Sequence, residues 1–340
     1  MKVFISFEPN KKHDNFEGSR LRKTIKGALE INNIPYVSHR MEGNYDLLHL
    51  ISYEDINLID EARESDVPVI ASALMCETDP SAAYLDFKYR DGQITYLLPA
   101  KAKNFLNKVD LVLAPTEGAK ELLKDKGITS EIKVLMPGIN LSRFDFAKEE
   151  EKDLFFRYFS EERNKKLVVA LGDYNCLDGI NAFIKSAEKC PNALFYFFGQ
   201  NNSLKFLNRK AKKIIKSAPK NAKFKEIVAD DIYRSALLNA SVFMIPEYRY
   251  IGVISILEAM AAKCEIIARE QALLPGLLED QETAHIAQFS ETLVGLCKDA
   301  LEGKLKPTAH EAYNEVQKYS IEKYGESLSE IYQKLIDMKN

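Results

Sequence analysis

The residues with the clearest chemistry lie between Val242 and Ile267, in VFMIPEYRYIGVISILEAMAAKCEII. An apolar run, Val242 to Ile245, stops at Pro246, and a short loop carries Gly252. Ile254, Ile256, Leu257, Ala259, Met260 and Ala261 then surround Glu258, with Lys263 close behind. This pattern predicts strand, loop and helix, followed by a second strand from Glu265 to Ala268. In an open parallel sheet, ligands bind outside the carboxyl ends of the strands. A loop leading into a helix there offers free N–H groups and a positive dipole end, which suits a phosphate. Glu258 is the one carboxylate in that helix placed to meet the hydroxyls of such a ligand.

The elements that must position this stretch alternate along the whole chain. Lys2 to Phe7 predicts a first strand, and Leu21 to Ile31 a helix with Arg22, Lys23 and Lys26 on its outer face. Ile34 to Val37, Leu47 to Ile51 and VPVIASA read as further strands, with a helix from Asp55 to Ala62. His49 sits inside one of these apolar runs and reads as a packed strand histidine. Tyr84 to Asn107 mixes aromatic and basic residues, a pattern shared by amphipathic core helices and by faces that lie on membranes. In VDLVLAPTEGAKELLKDKGI a strand meets a helix that opens under Thr116, with Glu117 in its first turn to favour the dipole.

The alternation then restarts. Lys166 to Leu171 is a strand, the loop Gly172 to Gly179 follows, and Ile180 to Lys189 is a helix. Asn192 to Gly199 and Phe224 to Val228 are strands, and Asp230 to Asn239 is a helix. Between them, SLKFLNRKAKKIIKSAPKNAKFK is basic without one acid. Leu273 to Asp280, Phe289 to Leu301 and Ser320 to Leu335 read as the remaining helices.

Composition sets outer limits. The 340 residues are enough for two domains, and 46% hydrophobic content can build sizeable cores. A net charge of −3 argues against bulk binding of nucleic acid. Five scattered cysteines without a C-x-x-C pair predict reduced thiols in a cytoplasmic protein, and the five histidines show no metal spacing. The first apolar run is too short for a signal peptide, and no stretch approaches the roughly 20 apolar residues of a membrane span.

With the motifs in place, the chain resembles the retaining GT-B glycosyltransferases of family four. The similarity looks closest to the bacterial enzymes that build diglycosyl-diacylglycerol. It rests on APTEGAKELL, on MPGINLSRF, on the FFG turn with its basic helix, on LEAMAAK and on the EGKL…YSIEKYG tail. It implies an α/β GT-B fold with two Rossmann-like domains facing across a cleft. Residues 1–145 would form the acceptor-side domain and 146–318 the nucleotide-sugar domain, with 319–340 as a helix crossing back to the first. Donor-binding positions would be Gly172, Tyr174, Gly199, Gly252 and Glu258, the last holding the ribose. Arg20, Glu77 and Asp79 fall on the acceptor side. Lys205, Arg209, Lys212, Lys213 and Lys216 fall where the glycolipid-making branch carries a basic, membrane-facing helix.

Several positions depart from the family pattern. Tyr250 stands where the first glutamate of Glu-x7-Glu belongs, Val253 replaces a glycine, and Glu247 is out of register. Ser72-Ala73-Leu74 replaces a histidine-bearing turn, and Glu17 and Ser19 replace two glycines. Asp178 occupies the place of a lysine that reaches the donor diphosphate, and a carboxylate there repels it. Arg249, Arg269 and the Lys205–Lys225 segment could supply cations instead. Two readings follow. In one, the protein transfers a hexose from a UDP-sugar to a lipid or glycan acceptor at the cytoplasmic face of the membrane, without metal or cofactor. In the other, a degenerate donor site has left a binding or scaffolding subunit, partnered by an active paralogue.

Overall fold

The computed structural model describes residues 1–6, 16–38, 44–51, 53, 56–73, 86–90, 93–174, 176–199, 207–248 and 252–339. Glu77, Asp79 and Lys205 lie outside these, as do Arg249 and Tyr250. The chain divides into two compact units, Met1–Asn140 with Gly252–Ile254 and Tyr319–Asn340, and Leu141–Ile251 with Ser255–Lys318.

The first unit alternates strands β1 (Val3–Ser6), β2 (Tyr36–Val37), β3 (Leu47–Leu50) and β4 (Val69–Ser72) with helices α1 (Phe16–Ile31) and α2 (Ile56–Glu64). A hairpin, β5 (Asp86–Arg90) and β6 (Gln93–Leu97), precedes α3 (Ala100–Leu106), β7 (Leu111–Ala114), α4 (Glu117–Asp125) and β8 (Glu131–Val134). Six of these strands form a parallel sheet in the order β2-β1-β3-β4-β7-β8, and β5 and β6 pair antiparallel by themselves. Within the aromatic and basic stretch from Tyr84 to Asn107, the described residues therefore form two antiparallel strands and a short helix rather than one amphipathic helix. Thr116 caps α4 as expected, accepting the Ala119 N–H at 3.0 Å.

The second unit opens on three short helices, α5 (Ser142–Asp145), α6 (Glu149–Lys152) and α7 (Leu154–Phe159). There follow β9 (Leu167–Gly172), α8 (Leu177–Lys189), β10 (Leu194–Gly199), α9 (Arg209–Lys216), β11 (Ala222–Glu226), α10 (Asp230–Asn239) and β12 (Ala240–Ile245). It closes with α11 (Val253–Ala261), whose first two residues are grouped with the first unit, β13 (Glu265–Arg269), β14 (His285–Ala287), α12 (Ser290–Leu301) and α13 (Ala309–Val316). Strands β9 and β10 are buried at every residue, which is why they read as unbroken apolar runs: helices cover both faces of a parallel sheet. Phe183 of α8 packs edge-on against Phe195, Phe197 and Phe224, tying that helix to β10 and β11. Arg234 of α10 holds the entry helices, donating to the Arg143 carbonyl at 2.6 Å and to Glu151 at 2.7 Å.

The helix expected over Leu273 to Asp280 does not form; the segment is a series of turns leading to β14. Pro275 lacks an N–H, and Gly276 takes a left-handed φ of 83°, so the backbone cannot continue a helix there.

The last helix, α14 (Ile321–Lys339), belongs to the first unit. Ile139 forms a bridge with Ser320, and α14 then packs on α1. Gly325 permits a close approach, since a Cβ there would overlap the Ala28 carbonyl of α1 and the Asn32 side chain in the turn after it. Deeper in, His49 is fully buried between Tyr332 of α14 and Ser72 of β4, with each ring nitrogen 2.7 Å from a hydroxyl. The neutral ring donates from one nitrogen and accepts at the other. Burial lowers its pKa to about 3. Below pH ~6.5 the unfolded chain takes up a proton that the folded one refuses, so stability falls with pH down to about pH 3, by roughly 1.4 kcal/mol per unit. Melting curves at pH 7.5 and 4.5 should show that His49→Gln removes about 2–3 kcal/mol of this acid sensitivity. Equal acid sensitivity in both proteins would refute the assignment.

Candidate functional site

The second sheet runs β11-β10-β9-β12-β13-β14. Its order reverses between β9 and β12, and the chain leaves both strands at their carboxyl ends to form helices α8 and α11. This is the crevice where doubly wound sheets hold nucleotides. Of the donor-side positions expected from sequence, Gly172 ends β9, Tyr174 lies in the loop after it, Gly199 ends β10, Gly252 precedes α11, and Glu258 lies within α11. Glu258 is only 6% exposed.

The loop after β9 is filled from an unexpected direction. Glu247, two residues past β12, is 1% exposed, and its Oε1 accepts the Asp173 N–H at 2.5 Å. A Cβ on Gly172 would overlap Glu247 Oε1, and one on Gly179 would sit 2.8 Å from Glu247 Cγ. Both glycines therefore leave room for this carboxylate. Gln271, just past β13, donates from Nε2 to the Glu247 carbonyl at 2.8 Å and fixes the backbone from which the side chain projects.

Tyr174 is fully buried, stacked on Phe197 with centroids 5.5 Å apart. Its hydroxyl donates to the Lys225 carbonyl at 2.5 Å, with the Phe197 carbonyl at 3.3 Å. The space a side chain at Gly199 would take is filled by the Tyr174 ring.

Asp178, in the first turn of α8, does not stand alone. The fully buried Arg269 reaches it at 3.4 Å, and the Ser290 hydroxyl donates to it at 3.2 Å. The Arg269 guanidinium lies 3.7 Å from the centroid of the Tyr248 ring, which covers it. The repulsion expected from Asp178 is thus offset by a cation delivered from the end of β13, 91 residues away. Cys176, at the N-cap of α8, is mostly buried; burial first, then the Glu247 carboxylate, push its thiol well above the ordinary range.

Helix α9 presents Arg209, Lys212, Lys213 and Lys216 to solvent and buries only Ala211, with Asn208 capping its start. Lys223 and Lys225 belong to β11, so the basic segment is a helix followed by a strand. In the first unit, Arg20 is 4% exposed within α1. Among the described residues no group of three or more His, Cys, Asp or Glu could hold a metal ion, and no helix is long and apolar enough to cross a membrane.

Sequence reasoning set Glu247 aside as out of register and passed over Gln271. The one signal for both was a polar residue directly or shortly after an apolar parallel strand, where side chains meet the crevice.

No family model matches the chain. Over 315 residues it is 27% identical to the processive diacylglycerol alpha-glucosyltransferase of Acholeplasma laidlawii, covering 92% of each chain. Over 236 residues it is 25% identical to the alpha-galactosylglucosyldiacylglycerol synthase of Streptococcus pneumoniae (strain ATCC BAA-255 / R6), covering 68% of this chain and 63% of that one. Its fold matches Anabaena Alr3699/HepE in complex with UDP-glucose, at a TM-score of 0.71 and 14% identity, over 98% of this chain and 100% of that one. By fold the chain matches the GT-B glycosyltransferases, and its sequence is similar nearly end to end to a diacylglycerol glycosyltransferase.

Proposed function

We propose that the protein transfers a hexose from a UDP-linked donor to a lipid or glycan acceptor at the cytoplasmic membrane surface, with retention of anomeric configuration and without a metal. The observation that carries this reading is the buried Glu258 in the helix that follows β12, at the point where the strand order reverses. A carboxylate there is suited to accept hydrogen bonds from the two hydroxyls of a ribose, and the N-terminal end of α8 suits the charge that develops on the leaving diphosphate. The pairing of Asp178 with Arg269 offsets part of the repulsion between that acid and an anionic donor. The likeness to a diacylglycerol glucosyltransferase supports a lipid acceptor.

Helix α9 supplies the membrane contact in this reading. Its exposed cations are each worth about 1 kcal/mol beside an anionic lipid surface. The test is one assay: labelled UDP-glucose or UDP-galactose with vesicles holding diacylglycerol, in anionic or neutral phospholipid. Labelled glycolipid should form on anionic vesicles, which should also sediment the protein. Lys212→Glu with Lys213→Glu should weaken both, as should high salt. Equal sedimentation with both vesicle types would sink the membrane contact; absence of product with every donor would sink the transfer.

A second reading, a scaffolding subunit acting with an active paralogue, is favoured by one observation: an acid, Asp178, occupies the first turn of α8. Under it the assay gives no product from the protein alone, and the protein raises the activity of the partner.

A further inference from the structure

The position that an anion would take in the loop between β9 and α8 is occupied by the protein itself. A phosphate bound there would accept backbone N–H groups of the loop in front of the helix N-terminus. Glu247 Oε1 already accepts the Asp173 N–H. The carboxylate arrives from the neighbouring strand end, across the reversal in strand order. It is sealed from solvent. Gly172 and Gly179 line its berth, one against the carboxylate oxygen and the other against Cγ. The Gln271 amide donates to its main-chain carbonyl.

We infer that Glu247 is a specificity-determining residue of the donor crevice, an internal anion that competes with the phosphates of an incoming nucleotide. This rests on the nucleotide-sugar reading above. A diphosphate can enter the loop only as Glu247 leaves it, so binding includes the loss of the bond to Asp173. A ligand without phosphate meets no such competition. Glu247 therefore lowers affinity for the charged part of the donor and leaves affinity for the nucleoside untouched. It also biases the site away from free UDP, the product, whose terminal phosphate carries more charge than the ester phosphate of the donor. Glu247 and Asp173 belong to the same unit as the crevice, so the competition needs no movement between units.

Titration calorimetry with UDP, UDP-glucose and uridine tests this on the full-length wild type, Glu247→Ser and Glu247→Gln. Serine vacates the berth. Glutamine keeps the volume and an acceptor for Asp173 but removes the charge, and serves if the serine variant fails to fold. UDP affinity should rise at least tenfold in Glu247→Ser and severalfold in Glu247→Gln, while uridine affinity stays the same. If the wild type binds UDP and neither variant binds it more tightly, the competition is refuted and the nucleotide reading survives. A flat wild type with a variant that binds UDP upholds the competition and argues against a working donor site in the native protein. Flat titrations for the wild type and both folded variants overturn both.

Discussion

Glu258→Gln should weaken UDP binding by about tenfold or more while leaving the fold intact. The substitution keeps the side-chain volume within α11 and removes the charge. Each hydrogen bond from a ribose hydroxyl to a carboxylate contributes about 1.5–3 kcal/mol, more than to a neutral amide. Losing 1.4 kcal/mol already costs a factor of ten. Calorimetric titration with UDP measures the effect, and a thermal melt of the same samples controls for folding. The residue is buried, so a drop in melting temperature without a change in affinity would reassign Glu258 to packing. Unchanged affinity in a well-folded variant would remove the ribose contact from the proposed mechanism.

Gly199→Ala should be the most damaging small substitution at the crevice, costing about 3 kcal/mol. The added methyl would lie 2.6 Å from Tyr174 Cδ2 and 2.7 Å from Cζ. The ring cannot give way: it is fully buried, stacked on Phe197, and tied through its hydroxyl to the Lys225 carbonyl. Urea unfolding should show the loss in stability. Combining Gly199→Ala with Tyr174→Leu should cost less than the sum of the single changes, because the second removes the atoms that the first meets. Strict additivity would mean that the two residues do not share this space.

Much of the fold was legible because local patterns encode it. Parallel strands buried on both faces must be continuous apolar runs, so Leu167–Gly172, Leu194–Gly199 and the Val242 to Ile245 part of β12 stood out in the sequence. Helices bounded by Thr116 or opening after Gly252 followed from capping and periodicity. His49 in its apolar strand could be read as core, and it is. The strand β14 was missed because three residues are too few to show a period, and the helix expected before it failed because Pro275 and Gly276 override the apolar spacing.

The site divides along the same line. Glu258 was accessible from sequence, since its place depends only on the strand, loop and helix around it. The partners of the other site residues were not. Arg269 meets Asp178 across 91 positions, Glu247 meets Asp173 across 74, and His49 meets Tyr332 across 283. Such pairs are set by the order in which strands join a sheet and by where a last helix packs, and no local periodicity records either. By itself the sequence determined that two runs of alternating strands and helices would form, and that Glu258 would sit in a helix after a strand. Only the tertiary structure decided that an internal carboxylate fills the loop beside β9 and that a buried arginine neutralises Asp178, because burial makes those charges choose partners by proximity in space.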